Sequence, residues 1–511
     1  MTLVLNNNDL TLEDFINVAV HMHKVELGPD AKARIVASRE VVENLVKTDA
    51  VAYGITTGFG SLSTKKISST DLVTLQYNLI RSTAVGTGEP SPAYIVRGMF
   101  LLRLKCFTNG NSGIRLCIAE KIVEALNKNF LPNVPIKGSL GASGDLCPLS
   151  HLFLGLLGEG LAHDPDTNKL IDAKTVLAKL EIEKITLESK EGLGLNNGTQ
   201  FITSWTAFAT YHALRIIRLS SVITATTIEA LHGIIDAFDP RIHQAKPHPG
   251  QIEIAKQIRS ILCDENGLPS DILQANQGKK IQDAYSLRCS SQIHGSAYDL
   301  IKFVESHVLI EMNCSNDNPL IFGDDILSGG NFHGAYISVC ADQLALAFSH
   351  LCNISERRTE RMINSDLNEF MPSFLTPNPG LNSGFMIVQY TSAGITAENR
   401  QLANPGGVHN IPSCQGFEDI VSMANWPARK AVQSMENTYE VIALELFTAN
   451  QALWFTKEKP NQTTQKIIEH IRQTVPFIET DVYMGGYIKE MVDFVHSDKI
   501  FELVDSYSHS H

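Results

Sequence analysis

The chain has 511 residues, of which 43% are hydrophobic and 19% charged, and its formal net charge is -13 at pH 7. This is the composition of a globular protein that is long enough for one large core or two sub-domains. The acidic balance disfavours nucleic acids and anionic membranes as partners, so we expect neither. The nine cysteines include no C-x-x-C pair, and the N-terminus lacks the features of a signal peptide, so we expect a cytoplasmic protein.

The N-terminal half reads as a series of helices. Thr11 and Asp14 have the spacing of a capping box and open the first of them. A loop, YGITTGFGSLSTKKISS, follows the second helix, and its Gly54, Gly58 and Gly60 predict irregular backbone. The helical stretches are TLEDFINVAVHMHKV, DAKARIVASREVVENLVKT, TDLVTLQYNLIRSTAV and PAYIVRGMFLLRLKCFTNG.

Beyond residue 198 the chain carries three long, mostly apolar helical stretches, which are typical of the inside of a helix bundle. Their starts are TQFITSWTAFATYHALRIIRL, GAYISVCADQLALAFSHL and PARKAVQSMENTYEVIALEL. Arg215 and Arg218 interrupt the first stretch, so we predict no transmembrane span. Because strand alternation is scarce, we predict an all-α protein with an N-terminal domain, 1–198, and a long-helix bundle with a C-terminal helical part, 199–511.

The stretch KGSLGASGDLCPLSH, residues 137–151, concentrates small residues before an aspartate. It lacks the Gly-Lys-Ser/Thr of a phosphate loop and the Gly-x-Ser-x-Gly of a nucleophile elbow. The simplest interpretation is a tight turn that caps the next helix. The chemical alternative is that the Gly144 N–H attacks the Ala142 carbonyl and Ser143 then loses its hydroxyl. Loss of two waters would leave a five-membered ring with an exposed methylene, an electrophile that ordinary side chains do not supply.

The stretch GSLGASGDLCPLSHL resembles the signature of the aromatic amino acid ammonia-lyases, a family that also includes related aminomutases. In that family, Ala-Ser-Gly becomes the 4-methylidene-imidazol-5-one (MIO) group. The resemblance implies a fumarase/histidase-like all-α fold, loss of ammonia from an α-amino acid, and a homotetramer. No set of metal ligands stands out in the sequence, so we predict no metal, and we predict no nucleotide cofactor. Eleven further motifs along the chain are similar to motifs of the family and occur in the same order. They are YGITTGFG, LQYNLIRS, NSGIRL, GLNNGTQ, RIHQAKPHPGQ, QDAYSLRC, SNDNPLIF, GGNFHG, SGFMIVQYTSAG, AENRQLANP and EDIVSM.

Three site residues carried over from the family would act on the substrate. Tyr53 matches the catalytic tyrosine, which we take as the base for the β-proton. Arg288 matches the arginine that binds the substrate carboxylate, a role that suits a guanidinium. Tyr285, also expected to be catalytic, shares a helix face with Arg288 at a spacing of three. Without the resemblance, a buried loop tyrosine and a surface ion pair would be the plainer interpretations of Tyr53 and Arg288.

Four more residues match positions around the MIO group. Asn197 would hydrogen-bond the MIO oxygen as an oxyanion donor does. Gln282 matches a polar residue near the substrate. Phe332 matches the aromatic that shapes the loop before cyclisation, although it also fits an ordinary core position. Asp145 would position the loop.

The substrate remains open at the sequence level. In the family, the residue after LQYNLIRS contacts the substrate ring, and histidine ammonia-lyases carry Ser-His where this chain has Ser82 and Thr83. Thr83 would therefore bind the substrate through one hydrogen bond, but it is shorter than histidine and does not ionise near neutrality. Glu418 matches the glutamate of histidine ammonia-lyases, whose carboxylate suits an imidazole better than a bare phenyl ring. We therefore favour L-histidine and urocanate. Tyrosine or phenylalanine ammonia-lyase and an aromatic 2,3-aminomutase are the alternatives.

Overall fold

A computed structural model describes residues 2–48, 54–55, 57, 67–68 and 71–508. The chain divides into two compact units. The first unit comprises Met1–Tyr211, Val304–Asp342 and Pro405–Val432, and the second comprises His212–Phe303, Gln343–Asn404 and Gln433–His511. The predicted domain boundary after residue 198 stays a prediction.

Twenty-one α-helices lie in the described part of the chain. They are α1 (Leu12–Ala19), α2 (Pro29–Lys47), α3 (Leu72–Thr83), α4 (Ala93–Thr108), α5 (Leu116–Asn127), α6 (Leu146–Leu156), α7 (Ala173–Lys179), α8 (Glu191–Asn196), α9 (Gln200–Ala230), α10 (Pro240–Gln244), α11 (Pro249–Leu262), α12 (Asp271–Ala275), α13 (Tyr285–Arg288), α14 (Ser290–Asn313), α15 (Ala335–Ile363), α16 (Ser365–Asn368), α17 (Met386–Leu402), α18 (Asn425–Ala452), α19 (Gln462–Ile471), α20 (Gly485–His496) and α21 (Lys499–Ser508).

The strands of the described residues are three or four residues long and form four separate two-stranded pairs. The first pair is parallel and the other three are antiparallel. Strand pairs this small cannot build the hydrophobic core of the protein, so the helices form that core. The strands are β1 (Thr2–Leu5), β2 (Lys24–Leu27), β3 (Thr87–Pro90), β4 (Pro135–Lys137), β5 (Leu161–His163), β6 (Leu170–Asp172), β7 (Leu320–Phe322) and β8 (Asp325–Leu327).

The local signals in the sequence are confirmed where they are strongest. Thr11 and Asp14 form the reciprocal capping box at the start of α1. The three long apolar stretches become α9, α15 and α18. A fourth long helix, α14, did not stand out in the sequence, because polar and charged residues separate its apolar ones. Its buried side chains, Ala297, Ile301, Val304, Val308 and Met312, nevertheless recur at intervals of three and four.

One helix of the described residues, α15, is long and apolar enough to cross a membrane by length and hydropathy alone. Two-thirds of the relevant window, 67%, is buried inside the protein. This degree of burial is typical of a core helix in a globular fold.

A fully buried ion pair joins two of the long helices within the second unit. Arg358 Nε and Nη2 donate to the two carboxylate oxygens of Glu445 at 2.5 and 2.9 Å. Thr227 Oγ1 donates to the same carboxylate at 2.7 Å. Such a pair contributes little net stability compared with apolar packing, but loss of one partner leaves the other charge buried and unpaired.

We therefore expect Glu445→Leu to lower the free energy of unfolding by about 3–5 kcal/mol, as is usual when one partner of a buried pair is removed. Asp493→Ala is the matched control, because it removes the partner of the exposed Lys489 within α20. We expect that variant to unfold as the wild type does. Urea denaturation followed by circular dichroism measures both, and equal midpoints for the two variants would contradict the prediction.

Candidate active site

The loop between β4 and α6 carries Ala142, Ser143 and Gly144, and its backbone lies directly against the turn between α8 and α9. The Asp145 N–H donates to the Gly198 carbonyl at 2.6 Å, and Gly144 pairs with Gly198 as an isolated parallel bridge. A Cβ atom on Gly144 would lie 2.1 Å from the Gly198 carbonyl oxygen, and the φ of Gly144 is +68°. Only glycine fits this position, because any side chain would meet backbone that cannot move aside.

Asn197 holds the carbonyl of Ser143. Its Nδ2 donates to that oxygen at 2.7 Å, and the side chain is 3% exposed. Its Oδ1 is buried without a hydrogen-bond partner among the described residues. The residue ends α8 in an extended conformation, which turns its amide toward the loop. The Ser143 carbonyl thus accepts a hydrogen bond from a buried side-chain amide.

Asp145 ties the loop to the beginning of α9. The carboxylate is fully buried, and its Oδ1 accepts from Ser139 Oγ at 2.9 Å. Its Oδ2 accepts from the Ile202 N–H at 3.0 Å. Burial raises the pKa of the Asp145 carboxyl to about 7, and the hydrogen bonds from Ile202 and Ser139 oppose this shift only in part.

The Glu418 carboxylate lies within hydrogen-bond distance of the Ser143 hydroxyl. Ser143 Oγ donates to Glu418 Oε1 at 2.7 Å, and Ser413 Oγ donates to Oε2, also at 2.7 Å. Glu418 is half-buried. These bonds aim the carboxylate at the serine of the small-residue loop.

A cavity of about 210 Å³ in the first unit brings five of the predicted site residues together. Thr83, Ser143, Asn197, Phe332 and Glu418 line it, and Leu79, Leu146, Leu193, Asn318 and Cys414 complete the wall. None of these last five residues was predicted as a site residue, although Leu79, Leu146 and Asn318 lie within the quoted motifs. Cys414 and Asn318 lie in loops without a periodic signal, and only the fold brings them to the cavity.

The hydroxyl of Thr83 is already engaged within its own surroundings. Thr83 Oγ1 donates to the Leu79 carbonyl at 2.7 Å and lies 2.6 Å from Ser150 Oγ. Ser150 Oγ in turn accepts from Asn196 Nδ2 at 3.0 Å. A hydroxyl has a single proton, so Thr83 can offer a ligand only a remaining lone pair.

Arg288, Gln282 and Tyr285 belong to the second unit and line or border a different cavity. Arg288 and Gln282 line a space of about 410 Å³ together with Asp283 and Cys289. The Arg288 guanidinium lies over the Tyr285 ring with its carbon 4.9 Å from the centroid, and its Nη1 donates to Gln282 Oε1. Its Nε is buried without a hydrogen-bond partner among the described residues, so the guanidinium retains an unused donor.

Two further predictions concern Tyr53 and metals. Tyr53 lies outside the described residues. Within residues 2–48, 54–55, 57, 67–68 and 71–508, no group of three or more His, Cys, Asp or Glu side chains could hold a metal ion.

Residues 10–473 match the family of aromatic amino acid lyases. The chain belongs to this family. It is a carbon–nitrogen lyase, and the resemblance noted in the sequence is confirmed.

Relatives of the family match nearly the whole chain. The histidine ammonia-lyase of Caldanaerobacter subterraneus subsp. tengcongensis is 44% identical over 507 residues, which are 98% of this chain and 98% of the relative. The crystal structure of histidine ammonia-lyase from Trypanosoma cruzi superposes with a TM-score of 0.92 at 37% identity and covers 99% of this chain and 96% of that one. The tyrosine aminomutase from Streptomyces globisporus superposes with a TM-score of 0.92 at 31% identity and covers 99% of both chains. The predicted all-α fold of the aromatic amino acid lyases is therefore confirmed.

The raised pKa of Asp145 gives a prediction about stability and pH. The folded protein retains a proton that the unfolded chain releases above about pH 4. The contribution of this carboxyl to stability is therefore complete below that pH and is lost as the pH rises through about 7. Asp145→Asn carries a neutral amide that resembles the protonated acid and does not titrate. Relative to this variant, we expect the wild type to lose about 1.4 kcal/mol of unfolding free energy per pH unit across that range. Urea denaturation of both proteins at a series of pH values measures the difference, and parallel curves would contradict it.

Proposed function

We propose that the protein eliminates ammonia from L-histidine to give urocanate. The observation that carries this proposal is the Glu418 carboxylate in the cavity of Ser143. An imidazole N–H, or an imidazolium, offers a carboxylate a charge-assisted hydrogen bond. A phenyl ring would offer the half-buried carboxylate no hydrogen bond. The relatives named histidine ammonia-lyase support the same substrate.

We also propose that Ala142, Ser143 and Gly144 form the MIO group, and the residues present fit it. The Gly144 nitrogen bonds to the Ala142 carbonyl carbon, and that oxygen leaves as water with the N–H protons of Gly144 and Ser143. Ser143 then loses its Cα proton and its hydroxyl as a second water, so no oxidant is needed. The Ser143 carbonyl survives in the ring, and Asn197 already donates to it. The absence of room for a side chain at Gly144 fits the same chemistry.

When formed, the MIO group supplies an electrophile for the substrate amine, which is otherwise a poor leaving group. The chain's own residues would do the remaining work. Tyr53 would remove the β-proton, and Glu418 would hold the imidazole. Asn197 would stabilise negative charge on the ring oxygen.

Arg288 is proposed to bind the substrate carboxylate. Its buried and unpartnered Nε is a donor suited to an incoming anion. Gln282 holds one end of the guanidinium, and the Tyr285 ring lies beneath it. Together these contacts would fix the plane in which the carboxylate is received.

We propose that the enzyme is a cytoplasmic homotetramer. Ser143 and Arg288 line different cavities of one chain. An active site assembled from several chains, as the family resemblance implies, would bring copies of these residues together. Closed symmetry is the usual form of such assemblies.

Ser143→Ala tests the reactive group. We expect the wild type to be two waters lighter than its sequence mass, whereas the variant keeps its full mass and loses turnover, since no methylene can form. Intact-protein mass spectrometry and an activity assay measure the two effects. Ser296→Ala is the control, because the exposed Ser296 hydroxyl donates to the Ile293 carbonyl of its own helix, α14, at 2.8 Å and lines neither cavity. An unmodified wild type, or an active Ser143→Ala, would overturn the proposal.

Glu418→Gln tests the substrate. The loss of one charge-assisted hydrogen bond is worth about 2 kcal/mol, so we expect kcat/KM for L-histidine to fall roughly 30-fold. Glu159→Gln, which alters an exposed carboxylate paired with Arg81, is the control and should leave this value unchanged.

A panel of L-histidine, L-tyrosine, L-phenylalanine and L-tryptophan completes the test, with ultraviolet and mass detection of products. Urocanate as the main product is expected. Coumarate or cinnamate would contradict the histidine assignment while retaining the lyase. A β-amino acid would identify an aminomutase instead.

A further inference from the structure

A cluster of buried polar and charged side chains lies behind the turn that presses on the reactive loop, and none of its members has a role in the proposed reaction. Each member is at most 2% exposed. We call it the Arg103 cluster, and it consists of Arg103, Lys190, Gln200, Asn316 and Asp317.

Hydrogen bonds and ion pairs join all five side chains of the cluster. Lys190 Nζ lies 3.1 Å from Asp317 Oδ2, and Arg103 Nη2 lies 3.9 Å from the same oxygen. Arg103 Nη1 donates to Gln200 Oε1 at 3.1 Å, and Gln200 Nε2 donates to Asn316 Oδ1 at 2.7 Å. Two cations thus share one carboxylate. Such an arrangement contributes little net stability, because the charges lose their hydration.

The backbone of α8 is held by the same cluster. Arg103 Nη2 donates to the Gly194 carbonyl near the C-terminal end of α8. Lys190, the residue that precedes the helix, has a φ of +74°, a left-handed conformation that non-glycine residues adopt only under constraint. Both ends of this short helix are therefore fixed by buried cations.

Gly198 is the point of contact between the cluster and the reactive loop. A Cβ atom on Gly198 would lie 2.5 Å from both Arg103 Nη1 and Gln200 Oε1, and 2.8 Å from Asn316 Oδ1. The peptide of Gly198 also receives the Asp145 N–H and lies against Gly144. Arg103, Gly198 and Gly144 are thus in direct succession, and the cluster leaves no room for a side chain on Gly198.

From this succession we infer that Arg103 is a positioning residue for the backbone cyclisation of Ala142, Ser143 and Gly144. The inference rests on the proposed function. The cluster holds Gly198 in place, and Gly198 holds the Gly144 peptide at the Ala142 carbonyl. The step is the one given above: a bond forms from the Gly144 nitrogen to the Ala142 carbon, and two waters leave. Arg103 contributes position only, because it contacts none of the reacting atoms.

Arg103→Met tests this inference, with Arg97→Met as the matched control. Arg97 lies in the same helix, α4, and is 8% exposed. Its Nε donates to the Ala19 carbonyl at 2.6 Å and its Nη1 to Asn129 Oδ1 at 3.0 Å. Both variants therefore lose buried guanidinium bonds of similar kind, but only Arg103 supports Gly198.

The measurement is the fraction of folded protein that has lost two waters. Intact mass spectrometry determines this fraction at successive times after synthesis. A displacement of about 1 Å within a pre-positioned pair costs on the order of 100-fold in rate. We expect Arg103→Met to mature more slowly by that factor, while Arg97→Met matures as the wild type does. Thermal melting should show a similar loss of stability for the two variants. Equal maturation rates in both would overturn the inference.

Arg103→Lys covers the case in which Arg103→Met fails to fold. Lysine keeps the charge but cannot contact Gln200 and Gly194 with two nitrogens at once. We expect a folded protein that matures more slowly than the wild type and faster than Arg103→Met. Maturation at the wild-type rate would overturn the inference. A wild type that never loses two waters would instead overturn the proposed function, so the two failures are distinguishable.

Discussion

The site depends on a backbone contact, the close approach of the Gly144 peptide to the Gly198 peptide. The Gly198 carbonyl accepts the N–H of Asp145, the residue after Gly144, at 2.6 Å. Neither glycine has room for a side chain. Hydrogen bonds from other parts of the chain hold each of the two segments in this contact. Asp145 links the loop to α9, and the Arg103 cluster fixes the turn between α8 and α9. A reaction of the chain with itself requires such confinement, because an unconstrained peptide nitrogen does not remain at a carbonyl.

The charged groups with different proposed roles lie in different places in the chain. The Glu418 carboxylate lies in the cavity of Ser143, and the Arg288 guanidinium lies in another cavity with an unused donor. An amino acid that carries an imidazole at one end and a carboxylate at the other has complementary charges. Buried Arg103, Lys190 and Asp317 form a third group, which is held by its own ion pairs and lines neither of the two cavities.

Local signals in the sequence predicted much of the secondary structure. The Thr11–Asp14 capping box needs only neighbouring residues, and the apolar lengths of α9, α15 and α18 leave little alternative to burial. The helix α14 was missed because its apolar stripe is diluted by polar residues. The sequence also does not show that the Thr83 proton is held by the Leu79 carbonyl, and the proposed contact of Thr83 with the substrate ring stays a prediction.

By itself the sequence determined the helical class, the family and the chemical types of the site: a small-residue loop, a carboxylate, a guanidinium and an amide. These follow from local periodicity and from short motifs, which survive without knowledge of distant contacts. Only the tertiary structure decided that Glu418 meets the Ser143 hydroxyl and that Gly198 leaves Gly144 no space. Ser143 and Glu418 are 275 positions apart. Their hydrogen bond depends on the packing of intervening elements, and no local pattern encodes that packing.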